Sequence, residues 1–191
     1  MNNLNKTISI TSFNRPEILN KCLTSLNKCE LIDQYNIVIV QQDYNQNFKK
    51  IFENFKFKFN KLIVIKTRYP KNWKPYKKMT SNGYTGFNFC FEELKSDIGF
   101  YLEDDIIVSN DYLIFSEYIL KKYKNDVNFF AVNGFSKELF NKKKINLYSK
   151  FVYGIGKGWA IHNDKWKIVK KLWNKKFINS PNPEYDYPIE N

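Results

Sequence analysis

The sequence predicts a single α/β domain in which a mainly parallel sheet is flanked by helices. Apolar, β-branched stretches of five or six residues alternate along the chain with segments whose apolar residues recur every three or four positions. This alternation is typical of strand–helix–strand units. The chain has 191 residues, of which 43% are hydrophobic and 18% aromatic. That is enough for one substantial core and hardly enough for two.

The elements follow in regular order. Strands are predicted at Thr7–Ser12, Asn36–Gln41, Leu62–Lys66, Ile98–Leu102 and Val127–Asn133. Helices are predicted after Pro16, which suits a first helical turn behind the candidate cap Asn14, and then around Phe48–Phe55, Gly83–Leu94, Asp111–Lys122 and Asn163–Trp173. Connections are predicted at Tyr69–Ser81 (a basic loop), Asn141–Lys150 and Asn179–Asn191.

Charge is the most biased property of the composition. Lys and Arg number 31 against 19 Asp and Glu, a net charge of +12 at pH 7, and every cation except Arg15 and Arg68 is Lys. A Lys-rich surface attracts polyanions and anionic membranes without sequence specificity, whereas Arg reads base edges and phosphates with paired hydrogen bonds. The composition therefore disfavours a specific nucleic-acid reader and is compatible with peripheral contact with an anionic membrane.

The three cysteines, Cys22, Cys29 and Cys90, are too few and too scattered for a disulfide scaffold or a metal knuckle. Cys22 and Cys90 lie among apolar residues and are predicted to be core thiols, which suits a reducing compartment. The polar N-terminus runs into the first strand without a signal peptide, and no apolar run approaches the roughly 20 residues of a bilayer span. We therefore expect a cytoplasmic protein.

Three adjacent carboxylates, Glu103, Asp104 and Asp105, follow the strand Ile98–Leu102. Because adjacent carboxylates repel one another and burial adds a desolvation cost, a bound cation would relieve both. In an extended segment Glu103 and Asp105 point to the same side, and such oxygen ligands suit Mg²⁺ or Mn²⁺ bridging to a diphosphate. The alternative is a solvated turn whose acid caps a helix beginning near Ser109. The triplet alone supports both readings about equally.

Four segments, in order along the chain, resemble the GT-A glycosyltransferases, most closely the inverting N-acetylglucosaminyltransferase I type. They are ITSFNRPEILNKCLTSL (Ile10–Leu26), VIVQQDYNQ (Val38–Gln46), FYLEDDIIVSNDYLIF (Phe100–Phe115) and LYSKFVYGIGKGWAIHNDKW (Leu147–Trp166). In turn they are similar to the family's first strand with its Arg-bearing loop, the strand whose terminal Asp contacts uracil, the metal motif, and the Gly-rich turn near the donor sugar. The resemblance implies a Rossmann-like GT-A fold over nearly the whole chain.

The resemblance also implies roles for single residues. Asp43 would hydrogen-bond the uracil ring of a UDP-sugar, and Arg15, just before a helix N-terminus, would contact the nucleotide or its diphosphate. Without the family, Arg15 is equally well a surface salt bridge. Asp105 would coordinate Mn²⁺ or Mg²⁺ directly, with Glu103 as a second ligand. Glu103 and Asp104 would also reach the ribose and the donor sugar.

The Gly-rich turn would let the backbone approach the substrates closely at Gly156, Gly158 and Trp159. Taken without the family, the same residues are a tight turn and a core indole. His162, the only histidine, is expected to cap or flank the late helix rather than to bind metal.

An inverting transfer needs a base that deprotonates the acceptor hydroxyl. The resemblance places an acidic pair after the Gly-rich turn, where this chain reads PEYDYP. Asp186 is therefore the candidate base and Glu184 the second candidate. The match is inexact, because the family's Asp-Asp pair is Asp-Tyr here.

The sequence thus predicts a metal-dependent glycosyltransferase that moves a sugar from a UDP-sugar donor to a glycan or glycoconjugate acceptor, with inversion. Residues 1–105 would form the nucleotide-sugar-binding half of the domain and residues 106–191 the donor-sugar and acceptor half, truncated at the C-terminus. The alternatives are a non-catalytic or partial nucleotide-sugar-binding module of a larger enzyme, a nucleotidyltransferase and a basic nucleic-acid binder. A nucleotidyltransferase is disfavoured, because TSFNRPE after the first strand contains no glycine.

Overall fold

A computed structural model describes residues 4–134 and 157–173, and the backbone of residues 184–189. Its sheet has seven strands: β1 (Lys6–Phe13), β2 (Tyr35–Gln42), β3 (Lys61–Thr67), β4 (Ile98–Glu103), β5 (Val132–Asn133), β6 (Trp159–His162) and β7 (Glu184–Ile189). Their order across the sheet is β5-β6-β4-β1-β2-β3-β7. The predicted α/β fold is confirmed.

The four central strands, β4, β1, β2 and β3, are all parallel. The outer strands are added antiparallel: β6 pairs with both β4 and β5, and β7 pairs with β3. The chain proceeds from β1 to β2 and β3 in one direction across the sheet and then returns to place β4 on the other side of β1. The connections that leave the carboxyl ends of β1 and β4 therefore run in opposite directions across the sheet, which leaves a gap between them. Open α/β sheets bind ligands at such a topological switch point.

Within the described residues, five helices cover the sheet: α1 (Pro16–Leu26), α2 (Gln46–Asn54), α3 (Pro75–Asn88), which continues as a π-helical turn (Phe89–Glu93), α4 (Tyr112–Lys122) and α5 (Asn163–Leu172). Alternate side chains of β2 pack into two hydrophobic clusters, one on each face of the sheet. Ile37 and Ile39 belong to the cluster with α1, α2 and α4, whereas Val38 and Val40 belong to the cluster with α3 and α5. Strands buried on both faces explain the nearly continuous apolar runs in the sequence.

Two predictions of local structure between Tyr69 and Asn133 are wrong in part. The basic loop ends at Lys74, because Pro75 starts α3 at a first-turn position that tolerates proline. The strand predicted from Val127 is limited to Val132–Asn133. Its first part is a turn, in which the Asp126 carboxylate accepts a hydrogen bond from Asn128 N–H at 2.9 Å and the Asp126 carbonyl accepts one from Phe129 N–H at 3.0 Å.

Two further differences concern the ends of elements. Asn14 does not cap α1: it has a positive φ of 45°, and Arg15 takes the N-cap position. The segment Asn179–Asn191 is not a loop throughout, because Glu184–Ile189 forms an edge strand with a register shift between Leu62 and Val64. Proline is tolerated at sheet edges and bulges. The predicted connection Asn141–Lys150 lies outside the described residues.

The three cysteines are buried free thiols, as predicted for Cys22 and Cys90. Burial raises the pKa of the Cys22 thiol to about 12, with smaller contributions from the negative charges of Asp104 and Asp105. Burial and the charge of Asp111 raise the pKa of Cys29 to about 11. These thiols therefore stay protonated and unreactive near neutral pH.

Gly86 allows α3 to lie directly on β1 and β2. A Cβ at this position would come within 2.0 Å of Ser9 Oγ and 3.1 Å of Val40 Cγ2. We expect Gly86→Ala to lower the free energy of unfolding by about 1–3 kcal/mol, the usual cost of overpacking a core.

Urea denaturation would measure that loss. The matched control is Gly83→Ala on the same helix, where the added methyl group would meet Tyr101 at an ordinary distance of 3.4 Å. A loss in Gly83→Ala as large as that in Gly86→Ala would contradict the assigned contact.

Candidate functional site

The acidic triplet lies at the switch point of the sheet. Glu103 is the last residue of β4 and pairs with Thr11 of β1, and Asp104 N–H donates to the Thr11 carbonyl at 3.0 Å. Asp104 and Asp105 then form the turn that leaves the sheet. The carboxyl ends of β1 and β4 thus bring the triplet next to the loop that enters α1.

The Asp104 side chain points into the protein and is completely buried. Its carboxylate accepts hydrogen bonds from Ser12 Oγ at 2.8 Å and from Phe13 N–H at 3.3 Å, and it forms a salt bridge with Arg15. A ligand could reach this carboxylate only by displacing these groups. The predicted contact of Asp104 with a sugar nucleotide therefore stays a prediction, and the structure shows Asp104 as the tie between β4 and the β1–α1 loop.

Glu103 and Asp105 point to the other side, together, as their spacing predicts. Lys157 lies between them, with its Nζ 3.4 Å from Glu103 Oε2 and 3.5 Å from Asp105 Oδ2. The two carboxylates raise the pKa of Lys157 above its ordinary value, so its ammonium group stays charged. The open side of the triplet, which we call the acidic corner, thus consists of Glu103, Asp105 and Lys157.

Arg15 stands between the two sides of the triplet. Its guanidinium pairs with Asp104 and lies 3.6 Å from Asp105 Oδ2, and its side chain is 45% exposed. The structure therefore contains the Arg15 salt bridge of the alternative interpretation. The side chain is also partly open to solvent beside Asp105, so contact with a nucleotide stays a prediction.

Asp43 follows β2 at the same edge of the sheet, two strands from β4, which is roughly 10 Å at the usual strand spacing. It is exposed, has a positive φ of 52°, and donates its backbone N–H to the Thr67 carbonyl at 3.1 Å. Gln42 Nε2 donates to its carboxylate at 3.1 Å. Asp43 is thus presented at the carboxyl edge where a base could lie beside it, and its contact with uracil stays a prediction.

A cavity of about 170 Å³ opens beside the acidic corner. It is lined by Asp105, Ile106, Ile107, Val108, Ser109, Tyr112, Gly134, Lys157 and Gly158. Gly158 has φ +68°, a conformation that favours glycine, and its carbonyl accepts the Gly134 N–H at 2.7 Å. The buried Tyr112 hydroxyl has no hydrogen-bond partner within the part of the chain that the structure describes.

The other residues of the Gly-rich turn divide between two environments. Trp159 begins β6, pairs with Tyr101 of β4 and packs edge-to-face on Phe87 with ring centroids 4.9 Å apart. The alternative interpretation predicts a core indole, and the Trp159 ring is partly buried against the cluster with α3 and α5. Gly156 lies outside the described residues. His162 flanks α5, as expected, and its Nε2 lies 3.2 Å from the Leu120 carbonyl oxygen.

The two candidate bases lie apart from the acidic corner. Asp186 and Glu184 belong to β7, where they pair with Val64 and Lys66 of β3. Four strand spacings separate β7 from β4, roughly 19 Å at about 4.8 Å each. The register therefore does not bring these backbones to the triplet, and the roles of both residues stay predictions.

Two participants in the site were not identified from the sequence. Lys157 lies inside the recognised GIGKGW segment. A lysine within a glycine-rich turn expected near the donor sugar is the signal that could have identified it as a partner of the triplet. Ser12 is the next-to-last residue of β1, and its hydroxyl becomes a partner of Asp104 only through the strand order. Strand neighbours that are distant in sequence carry no such local signal.

The donor set can be compared with the needs of a divalent cation. Within the described ranges, no three His, Cys, Asp or Glu residues form a group that could hold a metal. Glu103 and Asp105 offer two carboxylates on one side. Mg²⁺ usually takes one or two protein carboxylates and completes its shell with water and substrate phosphates, so the residues present fit a cation that a diphosphate helps to bind.

No protein-family model and no curated protein sequence matches this chain. Solved structures do. A fragment of S. aureus TarS in complex with UDP superposes with a TM-score of 0.59 at 13% identity, over 92% of this chain and 53% of the fragment. An active-site mutant of LgtC superposes with a TM-score of 0.51 at 13% identity, over 96% of this chain and 67% of that chain.

These neighbours have the GT-A glycosyltransferase fold, and the mixed sheet with its flanking helices is therefore a GT-A fold. The chain spans about half of the TarS fragment. At this level of identity the likeness establishes the fold and not the reaction.

The Asp104 tie can be tested by stability. Asp104→Ala would leave Ser12 Oγ and Phe13 N–H without their acceptor, so we expect a loss of about 2–3 kcal/mol in the free energy of unfolding. Asp105→Ala, next in the chain but partly exposed, should cost less than about 1 kcal/mol. Urea denaturation of both variants measures the difference, and equal losses would contradict the assignment.

Proposed function

We propose that this chain is a metal-dependent glycosyltransferase that binds a UDP-sugar at the acidic corner and transfers the sugar to a glycan or glycoconjugate acceptor. The observation that carries the proposal is the presentation of Glu103 and Asp105 on one open side, at the switch point of a GT-A sheet. Residues 1–105 form the nucleotide-sugar half of the domain in this proposal, and residues 106–191 the donor-sugar and acceptor half.

Each residue of the acidic corner has a task in this proposal. Asp105 and Glu103 hold Mn²⁺ or Mg²⁺, with Asp105 as the direct ligand. The cation supplies Lewis-acid stabilisation of the charge that develops on the leaving diphosphate. Lys157 gives up its contact with one carboxylate and places its ammonium group beside the phosphates. Arg15 adds a second positive charge at the N-terminus of α1, where anions are favoured.

The uridine nucleotide is supported by two separate points. Asp43 lies at the carboxyl end of β2, at the same edge as the triplet, in the position that the family resemblance gives to the residue that contacts uracil. The TarS fragment was also determined with UDP-GlcNAc, and that structure superposes on this chain with a TM-score of 0.58 at 14% identity. The N-acetylglucosaminyltransferase I type is the finer form of this proposal.

The stereochemical course has less geometric support. A general base must come within hydrogen-bonding distance of the acceptor hydroxyl, whereas the β7 backbone lies roughly 19 Å from β4 by strand spacing. Inversion with Asp186, or with Glu184, as the base therefore rests on the resemblance. The distance between β7 and β4 also favours the second candidate function, a nucleotide-sugar-binding module that lacks transfer activity by itself.

Isothermal titration with UDP and Mn²⁺ tests the donor site. We expect UDP to bind only when Mn²⁺ is present, and Asp105→Ala to weaken that binding at least about tenfold, because the cation loses a direct ligand. Asp164→Ala is the control: it removes an exposed carboxylate on α5, away from the acidic corner.

Failure of wild-type protein to bind UDP with Mn²⁺, or unchanged binding in Asp105→Ala, would refute the proposal. Transfer or donor hydrolysis, measured by release of UDP from UDP-sugars, separates the enzyme from the binding module. Binding without release of UDP would favour the module.

Lys157 gives a second test, which needs no substrate. Its ammonium occupies the space between the two candidate ligands, so a cation must displace it from at least one carboxylate. We expect Lys157→Met to bind Mn²⁺ alone about two- to fivefold more tightly, which corresponds to the modest free energy of a half-exposed ion pair. Titration monitored by the paramagnetic Mn²⁺ signal measures this, with the exposed Lys121→Met as control. Equal affinities in wild type and Lys157→Met would show that Lys157 does not compete for the site.

A further inference from the structure

One long stretch of the sequence carries positive charge and no negative charge. Between Glu53 and Glu92 there is no acidic residue. The same stretch contains Lys56, Lys58, Lys61, Lys66, Arg68, Lys71, Lys74, Lys77 and Lys78. The stretch is therefore basic as a whole.

Most of these cations follow β3 and enter α3, between Arg68 and Met79. We call this segment the basic-aromatic surface. It leaves the carboxyl end of β3, which is the edge of the sheet that also carries the acidic corner. Three strand spacings separate β3 from β4, so the surface lies roughly 14 Å along the same edge.

Aromatic residues of the basic-aromatic surface pack against one another and against one of its lysines. The rings of Tyr69 and Trp73 stack with centroids 5.3 Å apart, and Lys77 Nζ lies 3.6 Å from the centroid of the Trp73 ring. The Tyr69 hydroxyl donates to Asn82 Oδ1 at 2.6 Å, which ties the loop to α3. The cations are therefore displayed on a shaped surface rather than on a loose tail.

Two large apolar side chains are exposed on this surface. Tyr76 and Met79 are 55% and 51% exposed, and their spacing of three places them on the same face of α3. Lys71 and Lys74 are exposed beside them, and Lys78 is half-buried. An aromatic and an aliphatic side chain surrounded by lysines suits the boundary between lipid headgroups and acyl chains.

We propose that the basic-aromatic surface docks onto an anionic membrane. A membrane of this kind attracts clustered lysines electrostatically and accepts exposed apolar side chains. A dissolved polyanion would satisfy the lysines and leave Tyr76 and Met79 in water. Stacking of bases or sugars on Trp73 is also disfavoured, because Tyr69 and Lys77 already pack against its ring.

Docking in this way turns the carboxyl edge of the sheet, and the acidic corner with it, towards the lipid. The acceptor would then be a glycan carried by a lipid. This consequence rests on the proposed function, whereas membrane docking itself does not. Among the described residues no helix is long and apolar enough to cross a membrane, so the contact proposed here is with the membrane surface.

Co-sedimentation with vesicles tests the proposal. We expect wild-type protein to bind vesicles that contain phosphatidylglycerol, to bind more weakly as salt rises, and not to bind pure phosphatidylcholine vesicles. The variant Lys71→Gln, Lys74→Gln, Lys78→Gln should bind roughly 100-fold more weakly. The control Lys28→Gln, Lys121→Gln, Lys167→Gln removes the same charge from exposed lysines elsewhere and should bind within a few-fold of wild type.

A further variant, Tyr76→Ser with Met79→Ser, should bind the same vesicles several-fold more weakly at high salt, where electrostatic attraction is screened. Equal losses in the two triple-lysine variants would overturn the proposal, because they would show attraction by net charge without a defined surface. Binding to polyphosphate that depends on Lys71, Lys74 and Lys78 but not on Tyr76 and Met79, without vesicle binding, would overturn it in favour of a dissolved polyanion.

UDP titration of the same variants separates this inference from the proposed function. Loss of vesicle binding with UDP binding retained locates the membrane contact outside the donor site, as we expect. Absence of vesicle binding in a protein that binds UDP with Mn²⁺ overturns the membrane inference and leaves the donor site intact. Vesicle binding without UDP binding contradicts the proposed function alone.

Discussion

The geometry of this site depends on a buried carboxylate. Asp104 closes the gap between the carboxyl ends of two neighbouring strands by accepting hydrogen bonds from the end of β1 and pairing with Arg15. A charge without access to solvent is costly unless it is paired and hydrogen-bonded, and here both conditions are met. Because the turn after β4 is tied down at Asp104, the residues on either side of it cannot rotate freely.

The buried position of Asp104 also determines what lies on the open side of the triplet. With the central residue turned inward, Glu103 and Asp105 both contact Lys157 on the outer side, where their like charges repel. The Gly158 turn carries Lys157 to the space between them and offsets that repulsion. The triplet thus supplies one structural carboxylate, Asp104, and two carboxylates that a ligand can reach, Glu103 and Asp105.

Sequence periodicity was sufficient for the central sheet and for most helices, because strands buried on both faces and amphipathic helices leave patterns that do not depend on distant residues. It failed where the outcome depends on a local competitor or on a partner. The basic, proline-containing segment predicts a loop where Pro75 starts a helix, and Asp126 forms a turn that shortens β5. The strand β7 forms by pairing with β3, and a proline-rich sequence does not predict that pairing.

The candidate site shows the same division. The shared direction of Glu103 and Asp105 is the one that the period of an extended chain predicts, although Asp104 and Asp105 lie in the turn after β4. The burial of Asp104 was not predicted, because its partners come from β1, about ninety residues earlier in the chain. Lys157 belongs to a recognised segment, but its pairing with the triplet required the antiparallel addition of β6 to β4.

Alternation within the triplet also limits how the length of β4 can vary. An insertion or deletion of one residue before Glu103 would exchange inside and outside for the whole triplet. Two carboxylates would then compete for the one buried position beside Ser12, and a single one would remain for solvent. A homologous chain could change the acidic residues one at a time, but a one-residue change in length between Leu102 and this turn would need a compensating β-bulge.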